Sequence, residues 1–127
     1  MNEKRAASVH FRSAGMMIVL GTVAGAFGAH ALEGVLEARG MASFETASRY
    51  LLVMGAALIG ALATGERKGL AWIQCGSWLF STSIFLLVAD GFWSWGYSAI
   101  WGPITPLGGT MMIVGWLLWV VRFGRRR

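Results

Sequence analysis

The residues best suited to chemistry lie where long apolar stretches end. His30 and Glu33 stand three positions apart at the end of the first stretch, and Asp90 ends the third. Ionisable groups near membrane depth are costly and often functional, and a histidine beside a carboxylate can change protonation near neutral pH. Threading the stretches back and forth across a bilayer predicts one candidate polar cluster at the outer leaflet, which consists of His30, Glu33, Arg49, Tyr50, Asp90 and Thr105.

A structural network that joins the helix ends explains the same residues, and we favour it over a proton or ion site. Glu33, Arg49 and Asp90 are close enough to the predicted span ends to reach headgroups or water. Glu45 and Arg49 have the i,i+4 order that favours an ion pair on one helix. His10 is predicted on the opposite side of the membrane from His30, so the two histidines cannot share an ion.

Other catalytic and ligand-binding motifs are missing from the sequence. It has no nucleophile–base triad, no zinc motif and no phosphate-binding glycine loop ahead of a helix. Its one cysteine, Cys75, lies inside an apolar stretch. We therefore expect no catalytic residue, no metal and no cofactor, and a protein that is not an enzyme.

The composition favours a membrane protein. Of the 127 residues, 56% are hydrophobic and only 13% are charged, whereas a soluble domain carries about 25% charged residues. The apolar stretches are continuous rather than alternating, which favours helices, and each is near the ~20 residues that cross a bilayer core. We predict a single all-α membrane domain, a four-transmembrane-helix bundle, with helices at about 14–32, 45–64, 70–89 and 106–123.

The segment before the fourth predicted helix carries two local signals. Thr105 is typical of an N-cap, and Pro106 of the first helical position, where a missing N–H costs little. Amphipathic rings favour the headgroup level, so we expect the third loop to lie in the outer interface. Its aromatic residues are Trp93, Trp95, Tyr97 and Trp101.

The basic residues predict the direction of threading. Positive residues are retained on the cytoplasmic side, and the four-span prediction puts nine of the eleven Lys and Arg residues on one side. We therefore predict a cytoplasmic (inner) membrane protein with both termini cytoplasmic. The basic residues behind the net charge of +5 would then orient the chain in the membrane and contact lipid headgroups, and we expect no nucleic-acid partner. The nine residues are Lys4, Arg5, Arg12, Arg67, Lys68, Arg122, Arg125, Arg126 and Arg127.

A cleaved secretory signal is the competing interpretation of the first helix. Basic residues precede an apolar run from Met16 to Gly28, and residues 29–31 read A-H-A, as a cleavage site does. Cleavage there would leave three spans. We favour an uncleaved first helix.

Small and polar residues mark the predicted contacts between helices. Inside lipid, association depends on close packing and hydrogen bonds, and small residues four apart allow close approach. Internal packing is favoured over a dimer interface for this set, which comprises Gly21, Gly25, Ala29, Ala56 and Gly60. The third helix carries Gln74, Ser77 and Ser81 on one face, which we expect to meet a neighbouring helix.

Several segments also resemble one family. Residues 25–32 read GAFGAHAL, which resembles the GAFGAH signature of the small membrane family known as domain of unknown function 423, which includes the eukaryotic transmembrane protein 256. Residues 44–50 (FETASRY), 80–85 (FSTSIF) and 104–109 (ITPLGG), followed by Gly115 and Trp116, are similar to further family segments in the same order. The resemblance implies a multi-pass membrane protein of unestablished biochemistry, and it treats residues 25–32 as part of the mature helix.

This sequence also departs from the family pattern. A histidine is expected four positions after Tyr50, but Met54 stands there. Thr82 replaces a glycine and Phe85 a tyrosine. The missing histidine counts against a two-histidine metal or haem site.

Two functions remain open from the sequence. The favoured hypothesis is a non-enzymatic helical bundle that supports or associates with membrane components, with the bilayer and a membrane-protein partner or further copies as its partners. The alternative is a small oligomeric transporter or proton-linked channel that uses His30, Glu33 and Asp90. An enzyme that acts on lipid is a distant third, because no nucleophile and base pair is present.

Overall fold

The computed structural model describes residues 2–125, which form four long helices. Each helix is long and apolar enough to cross a membrane. The all-helical fold with four candidate spans is therefore confirmed. Arg126 and Arg127 of the predicted basic set lie outside the described residues. The elements are α1 (Glu3–Phe27), continued by a π-helical turn (Gly28–Leu32), α2 (Ala38–Ala63), α3 (Leu70–Trp93) and α4 (Ser98–Arg125).

Consecutive helices pack against each other. α1 packs on α2, α2 on α3 and α3 on α4, with a smaller contact between α1 and α3. Within the described range, α1 and α4 do not pack together. The short connections make the helices antiparallel, so the molecule has two ends. We name the basic end for the start of α1, the turn 64–69 and the end of α4, and the aromatic end for the segments 28–37 and 94–97.

The contact between α1 and α2 depends on two glycines. A Cβ at Gly21 would lie 2.8 Å from the Leu52 side chain, and one at Gly55 would lie 2.8 Å from the Ala14 carbonyl oxygen. The two backbones therefore approach closely. Ser48 Oγ adds a hydrogen bond across this contact by donating to the carbonyl of Gly21 at 2.7 Å.

The predicted packing residues divide between the inside and the surface. Gly21 lies in the contact just described, and a Cβ at Gly25 would lie 3.1 Å from Ser48 Oγ. Ala29, Ala56 and Gly60 are exposed, and nothing lies within 4 Å of a Cβ placed at Gly60. The cause is helix rotation, because the buried face of α2 is set by Ser48, Leu51, Gly55 and Leu58. That register turns the neighbouring residue, Ala56, outward.

The contact between α3 and α4 depends on glycines that the sequence analysis did not select. A Cβ at Gly76 would lie 2.6 Å from the Gly108 carbonyl oxygen, and one at Gly108 would lie 2.5 Å from the Phe80 nitrogen. About two helical turns closer to the basic end, a Cβ at Gly115 would lie 2.7 Å from the Ile73 nitrogen. Bare backbone on both helices makes this approach possible.

The helix ends differ from the predicted ones. α4 begins at Ser98, so Thr105 is not its N-cap and Pro106 is not its first residue. Pro106 cannot donate to the carbonyl of Gly102, yet the helix continues through this missing bond. α2 begins at Ala38 rather than near residue 45. Hydropathy marks the apolar part of a helix, whereas backbone hydrogen bonds continue into its polar ends.

Candidate functional site

Two members of the candidate polar cluster lie on the surface near the aromatic end. His30 is exposed within the π-helical turn. Glu33 is exposed and extended (φ −61°, ψ 124°), because it follows that turn rather than continuing a helix. His30 and Glu33 therefore do not lie on one continuous helical face. Over the described chain, no hydrogen bond or ion pair joins His30 to Glu33 or either of them to Asp90.

Asp90 is the buried member of the cluster, with 5% of its surface exposed. Its Oδ1 accepts a hydrogen bond from the Tyr97 backbone N–H at 3.0 Å. The Asp90 carbonyl accepts a second bond, from the Ser94 N–H at 2.7 Å, where Ser94 adopts a left-handed conformation (φ 56°). Asp90 thus holds the turn that connects α3 to α4.

The other three members of the cluster each have different surroundings. Thr105 Oγ1 shares a hydrogen bond with Ser83 Oγ at 2.7 Å, which joins α4 to α3. The Tyr50 ring packs on Phe80 with ring centroids 4.6 Å apart. Arg49 is exposed. Among the residues described, the six cluster residues therefore do not form one contact group.

The polar face of α3 is buried and engaged in hydrogen bonds. Ser77 Oγ donates to the Ile73 carbonyl at 2.7 Å, and Ser81 Oγ donates to the Ala47 carbonyl at 3.0 Å. Ser77 and Ser81 are both fully buried. Ser81 thus reaches the backbone of α2, as polar residues inside helical membrane proteins commonly do, whereas Ser77 bonds within its own helix.

A further polar contact joins α1 to α3 near the basic end, and sequence reasoning missed it. The Gln74 side chain contacts His10 Nδ1 and donates to the His10 carbonyl at 3.3 Å. One turn further along, Trp78 Nε1 donates to Ser13 Oγ at 2.9 Å. α1 and α3 run in the same direction, so two polar pairs, each about one helical turn apart (10 and 13 on α1, 74 and 78 on α3), were the available signal.

Glu66 is a second feature that the sequence analysis did not select. Its side chain is 3% exposed, and Oε1 accepts the backbone N–H groups of Arg67 at 2.9 Å and Lys68 at 2.8 Å. A carboxylate that accepts successive backbone donors fixes a tight turn. Glu66 thereby orders the basic connection between α2 and α3.

Charged residues also occur on the outward side of α2. Glu45 and Arg49 are both exposed, and no ion pair forms between them or with another described residue. Arg49 is the twelfth of the 26 residues of α2. We call this strip the outer face of α2; it comprises Ala42, Glu45, Arg49, Val53, Ala56 and Gly60, all of them exposed.

Two grooves open along α4. One, of about 400 Å³, is apolar and lies between α2, α3 and α4, where Trp116 Nε1 donates to Met54 Sδ at 3.5 Å. The other, of about 370 Å³, lies at the basic end beside Lys68, Arg122 and Arg125. Among residues 2–125, no three His, Cys, Asp or Glu side chains stand where they could hold a metal ion.

Comparison with known proteins identifies similar chains. Residues 24–109 match the family model described as protein of unknown function (DUF423). The chain is 37% identical over 114 residues to a UPF0382 membrane protein of Staphylococcus saprophyticus, covering 83% of this chain and 86% of that one. It is 31% identical over 99 residues to a UPF0382 membrane protein of Haemophilus influenzae, covering 73% and 75%. No solved structure matches the chain.

Proposed function

Since this chain belongs to the DUF423 family of membrane proteins, we propose that it is a non-enzymatic helical protein that associates with, or supports, other components of its membrane. The family has no established activity from which a reaction could be transferred. The proposal therefore depends on the surface and the interior of this chain.

The observation that carries the proposal is the charge on the outer face of α2. Arg49 stands near the middle of a helix that is long and apolar enough to span the membrane, and it is exposed. A charged residue at the centre of a membrane helix costs about 2.5–3.5 kcal/mol on insertion scales, and such residues face protein or a water-filled cavity in nearly all cases. A partner that covers this face and offers hydrogen bonds or an opposite charge would remove that cost.

The interior supports a non-enzymatic role. The buried hydroxyl of Ser81 donates to a backbone carbonyl of α2 and so joins two helices, while that of Ser77 donates to a carbonyl of its own helix. The buried carboxylate Asp90 holds a turn. Polar residues of this kind stabilise a membrane bundle without needing a substrate.

The proposed location is the cytoplasmic membrane, with both termini on the cytoplasmic side. The basic end of the described chain carries Lys4, Arg5, Arg12, Arg67, Lys68, Arg122 and Arg125, whereas Arg39 lies at the other end and Arg49 near the middle of α2. Retention of positive residues in the cytoplasm supports this direction. The basic groove beside Arg122 would then meet the headgroups of the inner leaflet.

Copurification from native membranes tests the proposed role. Wild-type chain, an Arg49→Gln variant and an Arg39→Gln variant are extracted in mild detergent, and bound proteins are identified by mass spectrometry. Arg39→Gln is the matched control, because Arg39 is also exposed and belongs to the first turn of the same helix. We expect a specific partner to be retained by wild type and by Arg39→Gln but lost from Arg49→Gln. A wild-type chain that always purifies alone and as a single copy would contradict the proposal.

One observation favours the alternative of a small transporter or proton-linked channel. His30 lies in a π-helical turn, and such turns are frequent at functional sites. In liposomes that hold the purified chain, this alternative expects proton or solute flux to fall in the His30→Ala and Glu33→Gln variants. Flux that does not change would remove both residues from any transport mechanism.

A further inference from the structure

We propose that the outer face of α2 is an interface between two copies of this chain, in which Glu45 of each copy pairs with Arg49 of the other. The inference rests on the proposed function and names the partner. It starts from the depth of Arg49. With a rise of about 1.5 Å per residue, Arg49 lies roughly 16 Å from the first residue of α2 and roughly 21 Å from the last.

The contacts on either side of Arg49 support the same depth. Its neighbour Ser48 donates to the carbonyl of Gly21, well inside the first candidate span. Its other neighbour, Tyr50, packs on Phe80, which is the eleventh of the 24 residues of α3. Arg49 is therefore level with the middle of α3 and with an inner part of α1, a depth at which a charge that faces lipid is costly.

The charges of this face are complementary to themselves. Glu45 and Arg49 lie one helical turn apart and carry opposite signs. A two-fold axis along the membrane normal would put the same face of a second copy opposite, and each Arg49 would meet the Glu45 of its partner. Every Cα–Cβ bond in a helix tilts toward the N-terminus, so both side chains lean the same way. The long Arg49 side chain spans the remaining offset of about 6 Å to the level of the partner copy's Glu45. Two ion pairs would then leave the interface with no net charge.

The remaining residues of the face allow a second helix to approach. Ala42 lies on one side of the charged pair, and Ala56 and Gly60 lie on the other. Small side chains let helix backbones come close inside lipid. From Ala42 to Gly60 the strip is about 27 Å long, which is close to the ~30 Å thickness of the hydrocarbon core. Nothing lies within 4 Å of a Cβ placed at Gly60, so this surface is not used inside one chain.

Complementary charge variants test the pairing. A Glu45→Arg chain carries two positive charges on this face, and an Arg49→Glu chain carries two negative ones. With two different affinity tags on the same chain, we expect wild type to capture itself and each variant to lose self-capture at least about tenfold, since like charges repel across the interface. The two variants expressed together should capture each other again. A pair formed within one chain predicts no such rescue, because neither variant regains an opposite charge of its own.

Cross-linking provides a readout that does not depend on charge. In a Cys75→Ser background, the Val53→Cys variant puts a thiol on the proposed axis, and Gly15→Cys puts one on α1 at an open position. We expect oxidation to join two chains through position 53 but not through position 15.

The outcomes separate the inference from the proposed function. Rescue together with cross-linking at position 53 supports the dimer. Variants that capture themselves as well as wild type would overturn it. Capture of a different membrane protein through the same face, with no self-capture, would overturn the dimer and leave the proposed function standing. A chain that is always a monomer with no bound protein would contradict both the dimer and the proposed function.

Discussion

At the scale of residues, Asp90 shows how one carboxylate can organise a loop of a membrane protein. It is buried, accepts the N–H of Tyr97, and lies at the start of a turn in which Ser94 takes a left-handed conformation. That conformation costs a residue with a side chain about 1–2 kcal/mol, so the turn needs support from its surroundings. The Asp90 contact supplies part of that support.

Removal of the Asp90 carboxylate should therefore destabilise the fold. We expect Asp90→Ala to lower the free energy of unfolding by about 1–3 kcal/mol, since the Tyr97 N–H would lose its acceptor. Glu33→Ala is the matched control, because Glu33 is an exposed carboxylate near the same end of the molecule. Thermal unfolding in detergent, followed by intrinsic fluorescence, compares the two. Equal melting temperatures for both variants would show that the Asp90 contact contributes nothing.

At the scale of elements, the α3–α4 contact is built on bare backbone. Gly108 faces the Phe80 nitrogen and the Gly76 carbonyl, and a Cβ there would approach to 2.5 Å and 2.8 Å respectively. Gly109, the next residue, faces outward enough that its nearest neighbour would be Phe80 Cδ2 at 3.7 Å. The two adjacent glycines thus differ in what a methyl group would meet.

This difference gives a sharp comparison of two substitutions. Gly108→Ala should destabilise the protein by about 1–3 kcal/mol, because the added methyl group forces α3 and α4 apart. Gly109→Ala should be neutral or stabilising, since it gains up to about 1 kcal/mol of helix propensity without a clash. Unfolding of both variants in the same detergent checks the order. A Gly109→Ala variant that unfolds more readily than Gly108→Ala would contradict the described register of α4.

How well each of these elements could be predicted depended on how clear its sequence pattern was. Continuous apolar runs were enough to predict four helices, and polar residues on one face of α3 were enough to predict that this face meets a neighbour. The rotation of α2 was not predictable, because small residues occur both at Gly55, which faces α1, and at Ala56, which faces out. The start of α4 was missed because Pro106 is typical of a first turn, yet the backbone tolerates it inside the helix.

At the scale of the whole molecule, the candidate site depended on where the helices ended. The threading predicted all six cluster residues at one end, but Arg49 and Tyr50 lie near the middle of α2. Only side-chain contacts could separate the buried Asp90 from the exposed His30. Conversely, the contact of Gln74 with His10 links residues 64 positions apart, which no local pattern reveals. The depth of Arg49 likewise became visible only once its neighbours Ser48 and Tyr50 had partners on other helices.

The asymmetry of charge between the two ends leads to a prediction about direction in the membrane. In a Cys75→Ser background, Ser8→Cys puts a thiol near the start of α1 at the basic end, and Glu37→Cys puts one at the aromatic end; both positions are exposed. Because cells retain positive residues in the cytoplasm, a maleimide that cannot cross the membrane should label intact cells at position 37. Position 8 should react only after the membrane is opened. The reverse pattern would place the basic end outside and would contradict the proposed direction, while labelling of both positions in intact cells would indicate a mixture of two orientations.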